Sequence, residues 1–146
     1  LFIQRLLPGV PIVPLVMGRQ SPATGADLAR SLACTLAGRR ALLVASSDLS
    51  HYHDAARAAT MDGVVVDAIQ AFDADVLEHA LVRCPDHACG GGPITAVMRA
   101  ARDLGARNAR VLCYQDSGDI SGDKSAVVGY VAAVLGTFAH KGLRPC

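Results

Sequence analysis

The sequence predicts a layered α/β sandwich with a mixed, mostly parallel central sheet flanked by helices, formed as one domain over residues 1–146. Three observations carry this expectation. Strand-length apolar runs alternate with stretches in which apolar residues recur every three or four positions. The run Leu42-Leu-Val44 is continuous rather than alternating, as in a strand covered on both faces. The last two expected strands are joined by a short polar turn, which makes that pair antiparallel and the sheet mixed.

Val10-Pro-Ile-Val-Pro-Leu-Val16 reads as a first strand, confined to an edge by Pro11 and Pro14, which lack an N–H. Ser21 before Pro22 is a helix cap followed by proline at the first helical position. Leu28, Leu32 and Leu36 then mark a helix facing a sheet, which Gly38 stops and Arg39-Arg40 favour at its C-terminal end. The run from Ala41 is the second strand. Asp54 caps a helix to about Phe72, with Ala58, Val65 and Ile69 on its buried side and Gly63 weakening it locally. Asp73-Ala-Asp75 restarts a short helix through Val82.

Cys84 to Pro93 is a loop, and Pro93 opens a helix with Ile94, Val97, Met98 and Ala101 on one face and Gly105 at its end. Arg110-Val-Leu-Cys-Tyr114 is a strand. Residues 115–124 form a polar, glycine-rich turn. Residues 125–135, the longest apolar run, read as a central strand, although a helix also fits that length. The tail from Gly136 is expected to fray.

The composition is 51% hydrophobic and 18% charged with a net charge of +1, enough apolar matter for a core and no footprint for nucleic acid. No apolar run reaches the length of a membrane span. The opening residues lack the charged region and cleavage site of a signal peptide, and an initiator Met, so upstream residues are expected to be missing. Five cysteines without a regular framework suit a reducing cytoplasm, with Cys34 and Cys113 as small core residues.

The chemistry gathers in Ser46-Ser-Asp-Leu-Ser-His-Tyr-His53, directly beyond an expected strand, where α/β sheets bind ligands. Asp48 and His51 are three residues apart. A helical turn after the strand would place both on one face as two parts of a transition-metal site. On these residues alone, an N-capping Asp and a surface His satisfy the same spacing. Cys89 heads Cys-Gly-Gly-Gly-Pro before a helix start, a position that favours the thiolate as ligand or nucleophile. The three glycines would let backbone amides approach an anion closely; an idle cysteine in a flexible loop explains the same residues. His51, His53 and His87 are candidate bases.

Other readings fail on spacing. Cys84, His87 and Cys89 do not form a two-by-two zinc pattern. The Ser117–Ser125 turn resembles a phosphate loop, but Asp123 separates Gly122 from Lys124. No Gly-x-Ser-x-Gly elbow is present, which disfavours a serine hydrolase.

Four segments then occur in order: Ser46-Ser-Asp-Leu-Ser-His-Tyr52, Ala88-Cys-Gly-Gly-Gly-Pro93, Tyr114-Gln-Asp-Ser-Gly-Asp119, and Gly122-Asp followed by Val127-Val-Gly-Tyr130. Together they resemble the Memo family, also called AmmeMemoRadiSam system protein B, from about Leu1 to Leu135. The resemblance implies a class III extradiol dioxygenase-like fold and a pocket linked to iron or copper. It implies that Asp48, His51 and Cys89 are metal ligands, that His51 and Cys89 are the catalytic residues, and that further histidine ligands lie upstream of Leu1. The chain would then be the C-terminal half of a longer domain. Radical-SAM and AMMECR-type system proteins are implied as associates.

Two functions follow. One is a metal-dependent redox or oxygenase-like protein, with His53 or His87 nearby as acid or base. The other is an adaptor or binding module that takes a peptide or small anion in the same pocket through the amides of Gly90 to Gly92.

Overall fold

The computed structural model describes residues 2–138. In chain order the elements are α1 (Phe2–Leu6), α2 (Pro22–Leu36), β1 (His51–His53), α3 (Ala55–Gln70), α4 (Ala74–Arg83), a 3-10 turn (Pro85–His87), α5 (Gly91–Asp103), β2 (Asn108–Asp116), α6 (Gly118–Ser121) and β3 (Val127–Gly136).

The helix starts are the ones the capping residues dictate. Ser21 Oγ accepts from Thr24 N at 3.2 Å with Pro22 at the first position, Asp54 Oδ1 accepts from Arg57 N at 3.0 Å, and Asp73 Oδ1 accepts from Asp75 N and Val76 N. Each bond satisfies an amide that the first helical turn leaves open. α5 starts two residues before Pro93 and has no side-chain cap. Gly38 and Gly105, at φ +71° and +99°, turn the chain out of α2 and α5 in the left-handed region that side chains disfavour.

The sheet has the order β1-β3-β2, with β3 central as its apolar run predicts, and it is a strand rather than the alternative helix. Arg110 pairs with Val134 and Tyr114 with Val131, antiparallel, with a bulge between Val111 and Cys113. β1 also runs antiparallel to β3. Both ladders among the described residues are therefore antiparallel, not mostly parallel. The expected strands at residues 10–16 and 41–44 carry no ladder. Both are extended and expose apolar side chains: Leu42 is 73% and Val16 96% accessible. An apolar run becomes a strand only where another edge offers hydrogen bonds, and neither run meets one.

One core lies between α3, α4, α5 and the sheet, where Leu49, Val65, Leu77 and Met98 are all but fully buried. A second, smaller core joins α2 to α5 through Ala29, Ala96 and Ala100. α2 thus packs on a helix rather than a sheet. Its innermost positions are Gly25 and Ala29, with Leu28, Leu32 and Leu36 half-buried, because a contact built on small residues lets two helices approach closely. Cys34 is exposed on the far side of α2 and Cys113 is half-buried, so Cys34 is not a core residue. Cys146 and most of the tail expected to fray lie outside the described residues. No described helix is long and apolar enough to cross a membrane.

Candidate metal centre

The segment after residue 45 does not turn into a helix. It runs extended into β1, burying Leu49 and Ser50 while Asp48 and His51 stay at the surface on one side. The backbone is pinned to β3, where Leu49 N donates to Gly129 O at 2.9 Å and Gly129 N to Ser50 O at 3.0 Å. From below, the fully buried carboxylate of Asp62 on α3 accepts from Ser50 N at 2.8 Å through Oδ1 and from Tyr114 Oη at 2.8 Å through Oδ2. Burial and this carboxylate both push the Tyr114 hydroxyl well above the usual tyrosine range, so it stays a donor.

The loop before α5 docks on the same segment. Cys89 N donates to Asp48 O at 3.2 Å, and Gly90 N donates to Ser47 Oγ at 2.8 Å. Asp48 N in turn points at Cys89 Sγ, 3.3 Å away. Gln20, from the turn before α2, ties the other side by donating to Cys89 O and accepting from Gly92 N, both at 2.8 Å.

These contacts bring together one carboxylate, one imidazole and one thiol. A ligating atom from each of Asp48, His51 and Cys89 lies within 4.8 Å of the other two. His51 Nε2 is 3.6 Å from Asp48 Oδ2, too long for a hydrogen bond, and this buried nitrogen has no hydrogen-bond partner. Ligand bonds of about 2.0–2.3 Å to a shared ion put donor atoms roughly 3–4.5 Å apart, so the set fits one transition-metal ion with little closing. The mixture of oxygen, nitrogen and sulfur suits iron or copper.

His53 and His87 join no such cluster among the described residues, nor do Cys84 and His87 meet Cys89 in one. The three glycines also have a different task from the one expected. Gly90 and Gly92 have amides already taken by Ser47 and Gln20, and Gly91 N bonds Ala88 O at 3.3 Å. A Cβ on Gly90 would sit 2.7 Å from Ser47 Cβ, and one on Gly92 2.7 Å from Met17 Sδ. The glycines let the Cys89 loop close against its neighbours, and they leave no amide cradle for an anion.

Two contributors escape sequence reasoning. Asp62 had a signal, since it stands on the stripe formed by Ala58, Val65 and Ile69, where a charged residue needs buried partners. Gln20 had none, because its two bonds reach across about seventy residues of chain.

A sequence profile described as Memo-like protein matches residues 1–134. A MEMO1 family protein of Methanosarcina mazei is 43% identical over 126 residues, covering 85% of this chain and 47% of the relative. One of Thermotoga maritima is 37% identical over 135 residues, covering 92% of this chain and 47% of the relative. The chain thus spans about half the length of the curated relatives it matches.

Proposed function

Since the chain belongs to the Memo family, we propose that it is a metal-binding protein of that family whose Asp48, His51 and Cys89 hold an iron or copper ion. The observation that carries this is the unpartnered, buried Nε2 of His51 beside the Asp48 carboxylate and within reach of the Cys89 sulfur. A buried imidazole nitrogen without a hydrogen bond is costly, and a metal ion relieves that cost. Bound iron or copper would supply one-electron chemistry.

The chain's own residues set the conditions for that chemistry. His51 and Cys89 are the catalytic candidates, the first as a neutral nitrogen donor and the second as an oxidisable sulfur donor. Asp48 adds the negative charge that holds a cation. The Asp48 N–H aimed at Sγ supports a thiolate there. Three ligands leave positions open, and the part of a family domain outside the matched segment is the proposed source of more. An extradiol dioxygenase-like layering of that whole domain, a cytoplasmic setting and association with radical-SAM and AMMECR-type proteins belong to the same reading. An adaptor that grips anions through the Gly90 to Gly92 amides is disfavoured, because those amides are occupied.

Titration of the purified chain with Fe(II) and with copper, followed by metal analysis after gel filtration, tests the reading. Binding at one ion per chain that drops at least about ten-fold in His51→Ala is expected, the loss of one of three ligands. Equal binding by the variant, or none by the unaltered chain at millimolar metal, overturns it.

A further inference from the structure

The side of β3 away from β2 is largely uncovered. Gly136 O and Val128 O accept from Arg107 N and Ser117 N, so even-numbered residues present their backbone toward β2. Odd-numbered residues present theirs to the opposite edge, where β1 pairs only at Val127 and Val128 and Gly129 bonds Leu49 and Ser50. Beyond that point, Val131, Ala133 and Leu135 face no strand among the described residues.

The chain that leads into β1 stands across from this edge. It meets β3 at Leu49 and diverges toward residue 41, leaving a groove of about 670 Å³ between residues 41–45 and residues 131–137. That is roughly twenty times one water's share of the liquid. Ile94, Val97 and Met98 of α5 form its apolar floor. Leu42 and Val44, on the far wall, are 73% and 54% accessible. The two walls are extended, run in opposite directions and carry unpaired backbone over about five residues each, the usual length of one strand. A groove with a hydrogen-bonding edge on both sides and an apolar floor has the chemistry of a missing strand.

We propose that this groove receives an extended apolar strand from the part of a Memo-family domain that lies outside the segment this chain matches. The choice of occupant rests on length: relatives matched over most of this chain are covered over only 47% of their own. Such a strand would pair with β3 on one side and with residues 41–45 on the other. Because those walls run oppositely, it would be parallel to one and antiparallel to the other, and the sheet would become mixed. The proposal does not rest on the metal reading.

The test mixes this chain with the unmatched part of the Methanosarcina mazei relative, produced as a separate polypeptide, and follows complex formation and amide exchange. A complex is expected, with exchange at Val131, Ala133 and Leu135 slowed at least about ten-fold as these amides gain partners. Ala133→Pro removes an N–H aimed at the groove and leaves those toward β2 in place, so it should weaken the complex at least about ten-fold. Leu42→Lys alters an exposed side chain of the free fold and should weaken it similarly, because the charge would be buried. No complex, a complex without slowed exchange at those amides, or equal affinity for both variants overturns the proposal. Slowed exchange at the same amides in the chain alone, rising with its concentration, makes a second copy the occupant and refutes the one proposed.

Discussion

Asp62 and Gly129 are in such close contact that a Cβ on Gly129 would stand 1.8 Å from Asp62 Oδ2. The carboxylate has no exposure at all, and it fills the space a side chain on β3 would take. Gly129→Ala must therefore push β3 or the carboxylate away, and with it the acceptor of Ser50 N and Tyr114 Oη. A cost of roughly 2–5 kcal/mol is expected, combining overpacking with buried donors left without partners. Asp62→Ala should cost a comparable amount and Tyr114→Phe only about 1 kcal/mol. Urea unfolding supplies the check, and the double variant is the sharper one. In the Asp62→Ala background the clash is gone, so Gly129→Ala should become nearly neutral. Full additivity would show that the two residues are not one unit.

Gly90 makes a second case, in which a residue without a side chain controls a ligand. A methyl group there would meet Ser47 Cβ at 2.7 Å and Ser46 O at 2.9 Å, one peptide away from the Cys89 sulfur. Gly90→Ala should therefore swing Cys89 from Asp48 and His51 and weaken metal binding at least about ten-fold, a displacement of ligand geometry rather than a loss of a ligand. Cobalt(II) titration reads this through the sulfur-to-metal absorption, which should fade in the variant while His51 binding persists. An unchanged spectrum would show that the loop absorbs the methyl group without moving Cys89.

Much of this site was legible because it depends on local rules. Asp54 and Asp73 cap their helices, Gly105 ends α5, and the longest apolar run is the central strand. Asp48, His51 and Cys89 stand out by residue type at the end of an apolar run and at a helix start. What the sequence misled on is partnership. Leu42, Leu43 and Val44 have the composition of a buried strand, but strand formation needs a second edge, and edge availability is not a property of the run. Asp48 and His51 share a side through an extended segment with a bulge beside His51, not through the helical spacing that first paired them. The glycines after Cys89 suggested open amides, and only the positions of Ser47 and Gln20, both distant in sequence, show the amides to be filled.

Gln20 offers a prediction that follows from this long reach. Its amide bridges Cys89 O and Gly92 N from the start of α2, so it couples α2 to the ligand loop. Gln20→Ala should cost about 1 kcal/mol for two partly exposed hydrogen bonds. It should also raise the accessibility of the Cys89 thiol to alkylation with iodoacetamide. Gln20→Glu keeps the acceptor for Gly92 N but loses the donor to Cys89 O, and should fall between the two. A Gln20→Ala chain that is alkylated at the unaltered rate would limit Gln20 to a structural tie.

The turn between β2 and β3 fixes how the fold responds to pH. Lys124 Nζ bonds Asp116 Oδ1 at 2.8 Å and Asp119 Oδ1 at 2.5 Å, while Asp116 N donates to Asp119 Oδ2 at 2.9 Å. The bonded Lys124 holds the Asp119 carboxyl below its ordinary value of 3.8, and the two carboxylates hold the Lys124 ammonium above its ordinary 10.5. For Asp119 the folded state favours the ionised form. Its contribution is therefore complete above the ordinary value and disappears as pH falls through the lowered one. For Lys124 the folded state favours the charged form, so its contribution is complete below 10.5 and is lost as pH rises through the raised value. Asp75, lowered by its hydrogen bond to Arg99, adds to the acid side. Stability measured by urea midpoint should form a plateau through neutral pH and fall below about pH 4, where carboxylates begin to protonate. Lys124→Met should lower the plateau and reduce the acid slope, because one of the carboxylates it leaves has no cation to lose. A variant with the same acid slope as the unaltered chain would place the acid sensitivity elsewhere, with the Asp75–Arg99 pair the next to test.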